Sequence, residues 1–69
     1  MEEFDLNGRE YVELNNLLKL TGFCSSGGAA KMVISDGEVQ VDGAVELRKR
    51  YKVRPGQIVS FAGEQVKVV

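Results

Sequence analysis

Gly37-Glu38-Val39-Gln40-Val41-Asp42-Gly43-Ala44-Val45 is the stretch that decides the fold, because the apolar period changes within it. Val39 and Val41 alternate with Glu38 and Gln40, the period of a half-buried strand. Asp42-Gly43 is a strong two-residue hairpin turn, and Val45 and Leu47 start a return strand. Upstream the period is helical. Ala30, Val33 and Ile34 sit at i, i+3 and i+4, Gly37 is a stop, and Ser26 is a good N-cap. That predicts a helix over about Gly27–Asp36. Gly27 and Gly28 weaken its start by roughly 1 kcal/mol each relative to alanine, and such starts are kept for geometry such as close backbone approach. Further upstream, Leu14, Leu17 and Leu18, with Tyr11 one turn earlier and Gly22 as a stop, predict a first helix over about Val12–Thr21. Glu2 to Leu6 reads as a short edge strand with Phe4 and Leu6 facing one way, closed by the Asn7-Gly8 turn.

Downstream, Pro55-Gly56 and Ala62-Gly63 are turns, and Val59/Phe61 and Val66/Val68 alternate with polar neighbours. The fold class is therefore α+β: two helices packed on a small, mostly antiparallel sheet of three to five short strands, in the order β-α-α-β-β-β. No internal repeat, linker or low-complexity segment interrupts it.

Sixty-nine residues make one small domain, 1–69. A chain of this size buries only about 60% of the surface its unfolded form exposes. Cys24 is the sole cysteine, so no disulfide assists, and a lone thiol suits a reducing compartment, which predicts a cytoplasmic location. Hydrophobic residues at 43% and charged residues at 28% argue against disorder. No apolar run approaches the ~18 residues of a membrane helix. The start, Met1-Glu2-Glu3-Phe4-Asp5, is acidic, unlike a secretory signal.

Histidine is absent, which removes the commonest general base and metal ligand. One cysteine without histidine builds neither a zinc site of the usual kind nor a Cys–His nucleophile. No enzyme activity, metal, cofactor or small-molecule substrate is expected, and a binding module is the default.

Net charge is −1 but uneven. Residues 1–30 hold five acids and two bases, a sum of −3, while residues 31–69 hold seven bases and five acids, a sum of +2. The whole-chain pI near 5.3 speaks against a nucleic-acid binder, but local potential matters more than the total. Arg48-Lys49-Arg50-Tyr51-Lys52-Val53-Arg54 packs five bases into seven residues without an acid. If the stretch is extended, Arg48, Arg50, Lys52 and Arg54 form a cationic comb with neighbours about 6.6 Å apart. Val45, Leu47, Tyr51 and Val53 would then pack inward on the other face. Four like charges on one strip are explained by a polyanion such as a phosphate chain, or by a solvated face balanced by Glu46 or acids from elsewhere.

Ser25-Ser26-Gly27-Gly28 leads into the helix that carries Lys31. A helix N-terminus suits phosphate, and Lys31 one turn in adds a charge-assisted donor. The plainer reading is a serine cap with glycines easing a tight turn. It is not a Walker-type loop, since GxxxxGK[ST] is absent. Cys24 reads as a small, half-buried hydrophobe. Tyr51 points inward by parity and Phe61 reads as core. The acids of the N-terminal half read as a solvated helix face.

These residues together resemble a known family. Ser26-Gly27-Gly28-Ala29-Ala30-Lys31, then Ile34, then Gly37-Glu38-Val39-Gln40-Val41-Asp42-Gly43 resembles the alpha-L RNA-binding motif shared by small-subunit ribosomal protein S-four and many RNA-modifying proteins. Asp42 stands where the family usually has asparagine. The runs Asp42–Arg50 and Gly56–Gly63 look like the small bacterial YbcJ-type proteins, which consist of this domain alone. The resemblance covers roughly Val12 to Val69. Glu13-Leu14-Asn15 stands where the superfamily often has Arg-Leu-Asp, and Gly27 where it often has arginine.

The resemblance implies an alpha-L fold and binding to the phosphate backbone of structured RNA, ribosomal RNA among the candidates. Lys31, Arg48, Lys49, Arg50, Lys52 and Arg54 would touch phosphates, with Ser26 and Gly27 at the start of the second helix as an anion anchor. The alternative is a protein-interaction module docking an acidic, ribosome-associated partner. Related alpha-L domains are often appended to pseudouridine synthases and methyltransferases, but these residues leave no room for a catalytic domain, so no turnover and no membrane partner are expected.

Overall fold

The computed structural model describes residues 1–69. Nine elements follow in order: β1 (Glu2–Phe4), β2 (Val12–Glu13), α1 (Leu14–Leu20), α2 (Gly27–Ser35), β3 (Val39–Val41), β4 (Ala44–Val45), β5 (Lys52–Val53), β6 (Ile58–Phe61) and β7 (Glu64–Val68). The α+β class holds: of seven short strands, five build the main sheet, within the three to five expected, and the other two pair apart from it. The five-stranded sheet has the order β1-β7-β6-β3-β4, and the separate two-stranded ladder is β2-β5. Only β1 and β7 run parallel. β1 is an edge strand, and its exposed Glu2 and Glu3 discourage pairing with another chain.

The β3–β4 turn and both ends of α2 do what their residues favour. Asp42 and Gly43 lie at φ 51° and 83°, the left-handed pair of a type I′ hairpin joining β3 to β4. Gly37 at φ 77° follows the α2 C-cap Asp36, whose own φ is −78°. Ser26 caps α2, its Oγ accepting from the Ala29 N–H at 3.1 Å.

The core is one cluster of fourteen buried residues, all apolar. Leu14, Leu17 and Leu18 of α1 and Ala30 and Ile34 of α2 meet Val39, Val59, Val66 and Val68 of the large sheet and Val12 and Val53 of the small ladder. Cys24 is buried rather than half-buried, and burial, then the charge of Glu38, pushes its thiol above its ordinary pKa. Phe61 is half-buried against the cluster.

α1 starts two residues later than its apolar spacing predicts. Val12 and Glu13 instead pair with Val53 and Lys52. Glu13 makes no side-chain cap. The first free amides of α1 find backbone partners far along the chain: Leu14 N–H donates to the Tyr51 carbonyl at 2.9 Å and Asn15 N–H to the Lys49 carbonyl at 3.0 Å. This fastens the basic segment to the start of α1.

Candidate functional site

The basic segment is not one extended strand. Tyr51 N–H donates to the Arg48 carbonyl at 3.3 Å, so residues 48–51 turn before β5 begins at Lys52. The return strand β4 ends at Val45. Val45 and Leu47 therefore do not pack inward; they are 53% and 59% exposed. Of the residues expected on the inner face, only Val53 is fully buried, and Tyr51 is half-buried.

The turn still gathers cations. Arg48, Arg50, Lys52 and Arg54 line one groove of about 510 Å³ with Tyr51 and Gln57. Both tyrosines back these charges. The Arg48 guanidinium lies 5.0 Å from the centre of the Tyr51 ring. Lys52 Nζ and the Arg54 guanidinium lie 5.1 and 5.7 Å from the centre of the Tyr11 ring. Gln57 ties the far wall: its Oε1 accepts from the Arg54 N–H at 2.9 Å, and its Nε2 donates to the Tyr51 hydroxyl at 2.8 Å.

Two acids serve two of the four cations. Arg48 Nε and Nη2 donate to Glu46 Oε2 and Oε1 at 2.8 and 3.1 Å. Those bonds hold the Glu46 carboxyl below its ordinary pKa and raise that of Arg48. Arg50 Nε donates to Glu13 Oε2 at 3.3 Å, so this N-terminal acid is a partner of the basic segment rather than part of a bare solvated face. Lys52 and Arg54 have no ion pair. An adjoining depression of about 480 Å³, lined by Arg9, Glu10, Tyr11, Glu13 and Asn16 among others, carries mixed charge.

Four other expected site positions lie outside the groove lining. Lys49 is exposed and unpaired, on the turn itself. Lys31 is exposed on α2. Ser26 is exposed with its Oγ engaged in the cap, and Gly27 opens α2. Neither α2 glycine is explained by internal crowding: a Cβ at Gly27 would meet nothing within 4 Å, and one at Gly28 only the Ser26 hydroxyl at 3.9 Å.

Tyr11, Gln57 and Glu13 join the site from outside the basic run. Tyr11 is the one with a local sequence signal. Tyr11-Val12-Glu13 alternates around a buried valine, as a strand does, which would have freed Tyr11 from the helix.

A chain with this groove and topology has known relatives. The family model for the S4 domain matches residues 4–69. YbcJ of Escherichia coli (strain K12) is 55% identical over 69 residues, covering all of this chain and 99% of that one. YbcJ of Shigella flexneri matches to the same extent. The solution structure of E. coli YbcJ, reported to reveal an alfaL motif involved in RNA-binding, superimposes with a TM-score of 0.77 over 100% of this chain and 87% of that one. The two helices, the hairpin after α2 and this end-to-end identity agree, and the chain belongs to the S4 domain family.

Proposed function

We propose that this chain binds the phosphate backbone of structured RNA, ribosomal RNA among the candidates, and that residues 1–69 act as one alpha-L module. The observation that carries this reading is the groove itself: four cations from one short segment line one concave surface, backed by two tyrosines. A strip of like charge is costly in isolation and is relieved by a polyanion. The E. coli structure associated with an RNA-binding motif is 55% identical to this chain, which supports the same chemistry here. Lys52 and Arg54, unpaired and braced on Tyr11, are the main phosphate contacts; Arg48 and Arg50 flank them. Lys49, Lys31 and the open start of α2 at Ser26 and Gly27 are outer contacts. Few aromatics are free to stack on bases, so recognition is by shape and backbone.

The test is fluorescence anisotropy with a labelled ribosomal RNA hairpin from low to physiological salt. Neutralising about four phosphates gives a slope of log K against log salt near −3. Lys52→Ala with Arg54→Ala should weaken binding at least tenfold, about 1.4 kcal/mol. Unchanged affinity in that folded double variant overturns the reading. A pulldown dominated by an acidic protein that survives RNase would replace it with a protein-docking role.

A further inference from the structure

The most rigidly held cation in the groove is Arg48, and a carboxylate holds it. Arg48 is 74% exposed, yet its guanidinium is fixed on two sides. Its Nε/Nη2 edge is forked by Glu46, at 2.8 and 3.1 Å. Its plane sits over Tyr51. Glu46 is itself anchored: its side chain is only 14% exposed, and its Oε2 also accepts from the Arg48 backbone N–H at 3.0 Å. Arg50 has only a single contact of 3.3 Å to Glu13.

A guanidinium is planar and has two edges able to make paired bonds. Glu46 occupies the Nε/Nη2 edge and leaves the Nη1/Nη2 edge free. Two non-bridging oxygens of a phosphodiester match that edge as a carboxylate would. Resting on the RNA-binding reading above, we propose that Glu46 is a positioning residue, holding Arg48 with its free edge ready for one backbone phosphate.

A positioning Glu46 acts on affinity with a sign opposite to simple electrostatics. A carboxylate near a polyanion repels it, so a Glu46 that merely balanced charge would weaken binding, and removing it would tighten binding. A Glu46 that orients Arg48 strengthens binding despite its charge, because a pre-oriented donor loses less freedom when the phosphate arrives.

The experiment is a double-mutant cycle with Glu46→Gln and Arg48→Lys, read by anisotropy with the same labelled ribosomal RNA hairpin over a range of salt. Circular dichroism establishes that each variant is folded. Glutamine removes the charge and offers only one acceptor, so the fork is lost. Lysine keeps the cation but has no fork to be held. Glu46→Gln in the unaltered chain should weaken binding about fivefold, the scale of one oriented charge-assisted bond, with little change in salt slope. In the Arg48→Lys background the same substitution should no longer weaken binding. Tighter binding by Glu46→Gln alone, or an equal weakening in both backgrounds, overturns the positioning role and leaves the groove assignment standing. No binding by the unaltered chain at low salt overturns the groove assignment and this role with it.

Discussion

Gln57 Nε2 donates to the Tyr51 hydroxyl at 2.8 Å, joining the turn after β5 to the basic turn before it. The same side chain accepts from the Arg54 N–H through Oε1, and its Nε2 also reaches Asp42 Oδ2 at 3.3 Å. One half-buried amide thereby ties two walls of the groove to the β3–β4 hairpin turn.

These bonds separate by mutation. Tyr51→Phe removes one neutral hydrogen bond and should lower stability by about 1 kcal/mol or less. Gln57→Ala removes three contacts and leaves the Arg54 N–H to water, so a loss of about 2 kcal/mol is expected. Urea unfolding midpoints measure both. Equal losses in the two variants would show that the Arg54 and Asp42 contacts contribute nothing.

Asp42 carries two requirements at one position. Its backbone sits at φ 51°, and its Oδ1 accepts from the Ile58 N–H at 2.9 Å. Asparagine tolerates that conformation and keeps the Oδ1 acceptor for Ile58, giving up only the long 3.3 Å contact from Gln57 Nε2, so Asp42→Asn should change stability by no more than about 0.5 kcal/mol. It also removes a negative charge next to Gln57, so RNA affinity should rise slightly. Asp42→Ala lacks both the acceptor and the tolerance, and should cost about 1–3 kcal/mol. Thermal unfolding of the pair checks this; equal destabilisation by asparagine and alanine would mean that the carboxylate, not the conformation and the Ile58 bond, is what the site needs.

Local rules reached far into this fold, and stopped where partners came from a distance. The Ser26 cap, the stops at Gly22 and Gly37 and the Asp42-Gly43 hairpin each follow from residues within one turn of each other. The basic segment does not. Period-2 parity holds at Lys52 and Val53, where β2 pairs with them, and fails at Val45 and Leu47. Instead those two lie over Gly37, whose imagined Cβ would be 3.8 and 3.9 Å from them. The turn at 48–51 contains no glycine, proline or asparagine to announce it. It is held by the amides of Leu14 and Asn15, more than thirty residues away in sequence. The cations of the site were legible as composition. The support from Tyr11 and Gln57 was not: strand-like alternation at Tyr11-Val12-Glu13 frees Tyr11 from the helix, but only the tertiary fold brings it under Lys52 and Arg54.

Ala62 is a local conflict that the sequence shows and the fold tolerates. It precedes Gly63 in the β6–β7 turn and adopts φ 51°, where a Cβ is unfavourable. Nothing else at this exposed tip requires alanine. Ala62→Asn creates the Asn-Gly pair that type I′ turns prefer, and should stabilise the fold by about 0.5–1 kcal/mol, a rise of a few degrees in Tm. Scanning calorimetry reads the shift; an unchanged or lower Tm would show that the turn holds no such strain.

The Glu46–Arg48 fork also gives stability a pH dependence whose sign is fixed. The hydrogen bond from Arg48 holds the Glu46 carboxyl below its ordinary value of 4.5 in the folded chain. A group with a depressed folded pKa binds protons more readily when unfolded. Its contribution is therefore complete above about pH 4.5 and is lost as pH falls through the lower folded value. Arg48 is well solvated, so the effect is small. The unaltered chain should be slightly more stable than Glu46→Gln at neutral pH, and the two should converge below the carboxylate range. Chemical unfolding of both from pH 7 to pH 3 measures the difference directly. A gap between them that persists undiminished at the acid end would mean that glutamine disturbs packing, and that the fork to Arg48 is not what stabilises this turn.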